Sequence, residues 1–454
     1  MSQLSYQQKN GLSKLNDAER AEMNELCRDY CAFITKAKIE REAVVESIKI
    51  AENAGFRAYQ RGMELNPGDR IYYNNRGKGL MLAVIGSDPI DAGATIVAAH
   101  IDAPRLDLKQ NPLYESEELC LFKTHYYGGI KKYQWPAIPL ELHGVVALKD
   151  GTVVTVSVGD NAEDPVFTIT DLLPHLGKDQ MAKTMAEGVQ GEALNVLVGS
   201  EPGDEEKDAV KENILQILNE TYGIVEEDFL SAELCVVPAF PARDLGFDRS
   251  LIGGYGQDDR VCAYPALRAL LECESPRRTA VCVLADKEEI GSEGVSGMKS
   301  KQFDTFMEDI CVARGGTLRV CYENSICLSA DVSAGLDPTY PEVSEKRNAA
   351  RLNYGVALCK YTGSRGKSGA SDASAELVAF IRKIFDAAGV TWQMCELGKV
   401  DQGGGGTVAM YMAERNIDTI DAGVPVLSMH APFETVAKFD VYMTYRAAKA
   451  VYNS

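Results

Sequence analysis

Apolar and polar residues follow two different rhythms along this chain. From about Asn16 to Gly55, Glu and Arg are interspersed with Leu, Cys, Phe, Ile and Val at helical spacing, and Gly55 is placed to cap the end. Beyond it, short continuous apolar runs alternate with helical stretches. Thr95–Ala99, Ala280–Leu284, Ile326–Ser329 and Val424–Met429 read as buried strands, and Asp259–Glu272, Ser374–Ala388 and Thr407–Arg415 read as helices. This alternation predicts an α/β fold, a β-sheet with helices on both faces. The middle of the chain differs. His143–Val158 is rich in valine and split by the turn signal Lys149-Asp150-Gly151. Asp204–Glu206 opens a charged segment, and Lys207–Tyr222 has the spacing of one amphipathic helix. A smaller domain is therefore expected at residues 108–239, inserted in an α/β domain formed by residues 1–107 and 240–454.

A length of 454 residues and an apolar content of 45% agree with two packed domains and exclude global disorder. The net charge of −19 disfavours nucleic acid and anionic lipid as partners, because both repel such a surface. Twelve cysteines occur without a CxxC pair. A chain of this size needs no disulfide staples, so they read as reduced thiols in a reducing compartment. The start, MSQLSYQQKNGLSKL, has no apolar signal region, and no apolar run is long enough to span a bilayer. The cytoplasm is the expected location.

The candidate chemistry lies where the apolar runs stop. Of the five histidines, His100 follows Thr95–Ala99 and His430 follows Val424–Met429, while His125, His143 and His175 fall in the middle segment. Glu288 and Glu289 come just after Ala280–Ala285, Asp331 just after Ile326–Ala330, and Asp258 just before the helix that starts at Asp259. An α/β sheet places its ligands at the C-terminal ends of its strands, so these positions would meet at one edge. Each also has a plain reading: Asp258 as a helix cap, Asp331 as the start of a turn, the glutamates as solvated charges. Asp102 stands two residues from His100 and could hold the imidazole nitrogen that faces away from a metal. Two histidines with several carboxylates suit Zn²⁺, Mn²⁺ or Co²⁺. A shared Asp would make a two-metal centre with ions roughly 3.5–4 Å apart. Of the adjacent Glu288 and Glu289, one could ligate while the other accepts a proton from water.

Five ordered segments, AAHIDAPRLDLK, GQDDRVCAYPALRAL, DKEEIGSEG, SADVSAGLDPTYPE and SMHAPFE, resemble the aminopeptidase I and aspartyl aminopeptidase family of dinuclear zinc exopeptidases over nearly the whole chain. THYYGGIKKYQW is similar to the bacterial branch. The resemblance implies a mixed sheet flanked by helices and an inserted α+β dimerisation domain. It implies removal of N-terminal residues from peptides, with Asp and Glu as candidate first residues. It also implies two Zn²⁺ ions per subunit, with Co²⁺ or Mn²⁺ as substitutes. His100 and Asp331 would bind one ion, Glu289 and His430 the other, and Asp258 would bridge them. Glu288 would be the general base, and Asp102 would orient His100. It further implies a homododecamer, in which His175 of LLPHLG would reach a neighbouring active site.

Two other function classes fit parts of the sequence. Tyr361–Ser368 reads YTGSRGKS, a near match to the phosphate loop of a nucleotide-binding ATPase or kinase, with Tyr361 in place of its first glycine. The other class is a non-catalytic assembly scaffold. Under the peptidase reading, GSRGKSG is instead a basic loop in which Arg365 or Lys367 would receive an acidic substrate side chain.

Overall fold

The structure is a computed structural model that describes residues 4–454. It divides into two compact units. One contains the described residues up to Asp102, Ala242–Met429 and Phe433–Ser454; the other contains Ala103–Pro241 with His430–Pro432.

The first unit is built on a nine-stranded sheet. Its order is Arg57–Ala58, Arg70–Asn75, Gly79–Val84, Thr279–Ala285, Ala94–His100, Ile326–Ser329, Asp418–Gly423, Val356–Cys359 and Trp392–Met394. The four strands from Thr279–Ala285 to Asp418–Gly423 run parallel, so their C-terminal ends share one edge. Antiparallel neighbours on both sides make the sheet mixed.

The central strands read as unbroken apolar runs because both of their faces are buried. Val97, Ala99, Cys282 and Leu284 join one core with helices Asp17–Lys36, Gln257–Leu271 and Lys438–Tyr452. The alternate residues Ile96, Ala98, Val281 and Val283 join a second core with helices Gln302–Ala313 and Val408–Ala413. The first helix starts where a reciprocal cap forms. Asn16 accepts the Glu19 N–H at 2.9 Å, and the Glu19 carboxylate accepts the Asn16 N–H at 3.1 Å. Such a cap stabilises a helix by about 1 kcal/mol.

One strand expectation is corrected. Val424–Met429 does not enter the main sheet. Only Pro425–Leu427 is extended there, and it belongs to a separate five-stranded sheet of the same unit. Its expected place is taken by Asp418–Gly423, whose sequence DTIDAG hides it. Asp421 is buried within this strand, and burial pushes its carboxyl up to about 6. A lone buried acid breaks the apolar pattern by which a central strand is recognised.

The second unit holds a seven-stranded sheet in which every pairing is antiparallel, together with helix Ala209–Tyr222. The valine-rich segment is the hairpin of Leu140–Ala147 with Val153–Val158, turning at Gly151 with a φ of 90°. Among the described residues, no helix is long and apolar enough to cross a membrane.

Candidate metal centre

The parallel strands deliver their ends to the site in sequence. His100 is the last residue of its strand and is buried. Asp331 follows Ile326–Ser329 through Ala330, whose N–H donates to the Ala98 carbonyl at 2.7 Å. This brings the His100 and Asp331 strand ends together. Gly423 packs directly on Asp331: a Cβ at Gly423 would come within 1.9 Å of the Asp331 carbonyl oxygen. Only glycine allows that approach. Asp258 lies at the entry to helix Gln257–Leu271, after Gly256 turns the chain with a φ of 71°, and the Asp258–Asp259 peptide is cis. Glu288 and Glu289 sit on the short turn Glu288–Ile290, which Lys287 enters with a φ of 67°.

These groups converge. His100, Asp258 and Asp331 each offer a ligand atom within 4.8 Å of the others. His100 Nε2 is 3.1 Å from Asp258 Oδ1. Asp258, Glu289 and His430 also each offer a ligand atom within 4.8 Å of the others, so Asp258 is common to both groups. Glu288 belongs to neither group, yet its Oε2 lies 3.9 Å from His100 Nε2.

Backbone hydrogen bonds hold the candidate ligand segments to one another. Asp102 is wholly buried, and its Oδ1 lies 3.2 Å from His100 Nδ1. The same carboxylate accepts the Glu288 N–H at 3.1 Å and the Glu289 N–H at 3.2 Å. Three groups to which the sequence pattern assigns no role act in the same way. Asp259 accepts the His100 N–H at 3.2 Å, Glu434 accepts the Asp258 N–H at 3.2 Å, and the Arg260 guanidinium donates to the Ile101 carbonyl at 3.0 Å. The signal that could have found Asp259 and Arg260 is their type: two charged residues opening an apolar helix, VCAYPALRALL.

The electrostatics test the fit to a cation. Burial pushes the Asp331 carboxyl well above its ordinary range, and nearby Asp259 adds to this. Burial also raises Asp259. For His100, burial opposes protonation, but hydrogen bonds to Asp102 and Asp258 outweigh it and raise its pKa. Negative charge is crowded around the buried His100 and Asp258, and protons relieve it. A divalent cation would relieve it too, and the His and carboxylate donors fit zinc.

The remaining predicted residues lie elsewhere. His175 is on an exposed turn of the second unit. Arg365 and Lys367 line a cavity of about 380 Å³ with Tyr361, Glu396 and Lys399, and none of the grouped ligand residues lines it. Lys367 is engaged: its Nζ is 3.1 Å from Asp372 Oδ2 and 3.8 Å from the centre of the Tyr361 ring. Gly366-Lys367-Ser368 does not open a helix, since the next one begins at Ala375. A phosphate loop presents its backbone N–H groups at a helix start, so the nucleotide-binding alternative loses its geometry.

Residues 33–452 match the family model of the aminopeptidase I zinc metalloproteases, M18. The chain is 51% identical to a probable M18 family aminopeptidase 1 of Clostridium acetobutylicum, with 98% of each chain covered. The crystal structure of an M18 aminopeptidase from Thermotoga maritima is similar, with a TM-score of 0.95, 47% identity, and coverage of 99% of this chain and 100% of that one. The yeast mApe1 dodecamer shares the fold at 20% identity, with a TM-score of 0.78, and covers 95% of this chain and 96% of its own.

Proposed function

We propose that this chain, which belongs to the M18 family of aminopeptidase I zinc metalloproteases, removes N-terminal residues from peptides with two metal ions and a glutamate base. The observation that carries this reading is the pair of ligand groups sharing Asp258. His100 and Asp331 would hold one zinc ion, Glu289 and His430 the other, and Asp258 both. Bound there, two zinc ions supply Lewis-acid polarisation of the scissile carbonyl and lower the pKa of an attacking water.

The chain's own residues do the rest. Glu288 stands beside His100 without belonging to either ligand group, as a proton acceptor should. It takes a proton from the attacking water and returns it to the leaving amine. Asp102 fixes the His100 ring and, through two backbone N–H groups, the turn that carries both glutamates. The carboxylate cluster favours a substrate's positively charged α-amine, which would restrict cleavage to the N-terminus.

Glu288→Gln and Glu289→Gln separate the roles. Glu288→Gln should keep two zinc ions per chain by elemental analysis and lose at least about 100-fold in kcat, the usual scale for general acid–base catalysis. Glu289→Gln should bind less zinc. The reverse pattern would exchange the two assignments, and full zinc with full activity in both would remove the glutamates from the mechanism.

The finer features belong to the same reading. Arg365 would favour an acidic first residue, since it forms no ion pair with a described residue while Lys367 is held by Asp372. A homododecamer would bring His175 to a neighbour's site. Its support is the exposure of His175 and the dodecameric assembly of yeast mApe1. Twelve free cysteines agree with a reducing compartment such as the cytoplasm.

A further inference from the structure

Cys359 ends the strand Val356–Cys359, and Cys395 follows the strand Trp392–Met394. The two strands pair in parallel with Leu358 opposite Met394. The ladder continues one step, because the Cys395 N–H donates to the Leu358 carbonyl at 2.9 Å. That step sets Cys395 against Cys359 on neighbouring strands. Strands lie ~4.8 Å apart, inside the Cα separation of ~4.4–6.8 Å that a disulfide requires. The side chains already meet: the two sulfurs are 3.0 Å apart. An S–S bond is ~2.05 Å long, so closure needs an approach of about 1 Å.

Each cysteine roots a loop. The loop after Cys359 supplies Tyr361, Arg365 and Lys367 to the cavity of about 380 Å³, and the loop after Cys395 supplies Glu396 and Lys399. The Tyr361 hydroxyl donates to the Glu396 carboxylate, and the Gly363 N–H donates to the Gly405 carbonyl at 2.8 Å, so the two loops are tied to each other. The Ser333 hydroxyl lies 3.7 Å from Cys359 Sγ and 3.6 Å from Cys395 Sγ. Ser333 is two residues beyond Asp331. The pair thus touches both the cavity loops and the segment that carries a candidate ligand.

We propose that Cys359 and Cys395 form a reversible disulfide that fixes the roots of these two loops and changes peptidase activity. The oxidant is a small peroxide, which suits a buried pair. One sulfur gives two electrons to the O–O bond, yielding a sulfenic acid and water. The second sulfur displaces the sulfenic hydroxyl, which leaves with a proton as water, and the S–S bond forms. In sum, two thiols and one hydrogen peroxide give one disulfide and two waters. Cys359 is held protonated by its hydrogen bond to Cys395 and by burial, so the reaction is slow.

The test treats the zinc-loaded full chain with graded hydrogen peroxide for hours, blocks remaining thiols, and maps peptides by mass spectrometry alongside kcat/KM. The expected result is a Cys359–Cys395 linked peptide, lighter by two hydrogens, that accumulates in step with a several-fold change in kcat/KM. Dithiothreitol should reverse both, and Cys395→Ser should show neither. Two cysteines that remain alkylatable, or that advance to sulfinic acid without the linked peptide, would overturn the disulfide. A linked peptide with unchanged kcat/KM would overturn its effect on activity.

Discussion

Replacing Asp102 with Asn tests whether the centre is held together as its hydrogen bonds indicate. The substitution preserves shape but removes a charge and turns one acceptor oxygen into an NH2 donor. In the native arrangement the carboxylate accepts two backbone N–H groups, from Glu288 at 3.1 Å and Glu289 at 3.2 Å, and has an oxygen 3.2 Å from His100 Nδ1. The amide can face only one of the two N–H groups with an acceptor; the other meets a donor in a site with no solvent exposure. A hydrogen bond to a charged group contributes about 1.5–3 kcal/mol. At about 1.4 kcal/mol per factor of ten, losing one such bond is worth roughly 10- to 150-fold. The general cost of removing a carboxylate behind a metal-binding histidine, about 10–100-fold in affinity or activity, falls in the same range. The assay is zinc affinity by competition with a chromophoric chelator, followed by kcat/KM at saturating zinc, with a thermal melt to show that the variant folds. Asp102→Ala, which leaves both N–H groups without this acceptor, should be worse than Asn. If Asp102→Asn matches wild type in zinc affinity and in kcat/KM, the carboxylate does not organise the centre and this reasoning fails.

Three further outcomes are expected. Exhaustive chelation should abolish peptidase activity, and Zn²⁺, Co²⁺ or Mn²⁺ should restore it; full activity in a sample shown metal-free by elemental analysis would refute the metal requirement. Arg365→Ala should lose kcat/KM selectively on an Asp-initiated peptide relative to Leu- and Lys-initiated ones, whereas equal losses on all three would leave Arg365 without a role in specificity. Light scattering of an active sample should give a mass near twelve times the 49.4 kDa chain, and His175→Ala should lower kcat without dispersing the assembly; an active monomer would refute both expectations.

How much of the fold is legible in the sequence depends on how strongly burial constrains each segment. The central strands at Thr95–Ala99 and Ala280–Leu284 are covered on both faces, and a short continuous apolar run between turn signals is what such burial demands. Strand Asp418–Gly423 is equally central but escapes pattern reading, because buried Asp421 and exposed Asp418 interrupt its apolar run. The neighbouring run Val424–Met429 then stands out in its place. His430 is still found as a candidate, because it follows an apolar run, but that run lies in a different sheet from the one expected. His430 comes after a strand of the smaller sheet, on backbone with a φ of 64°.

The chemistry is legible unevenly for a related reason. A carboxylate that binds a cation and a carboxylate that binds a backbone N–H are the same residue type, and both stand at strand ends and helix entries. Asp258 and Asp259 are adjacent, yet Asp258 is shared by the two candidate ligand groups while Asp259 holds the His100 N–H. Glu288 and Glu289 both lend their N–H groups to Asp102, but Glu289 alone joins a candidate ligand group. The difference lies in which way each side chain leaves the backbone. Long-range contacts set that direction: Glu434 on the Asp258 N–H, Arg260 on the Ile101 carbonyl, and the close packing of Gly423 on Asp331. None of these has a local sequence period. A pattern reading can therefore assemble the acids and histidines of such a centre, but only tertiary structure divides them between ligation and support.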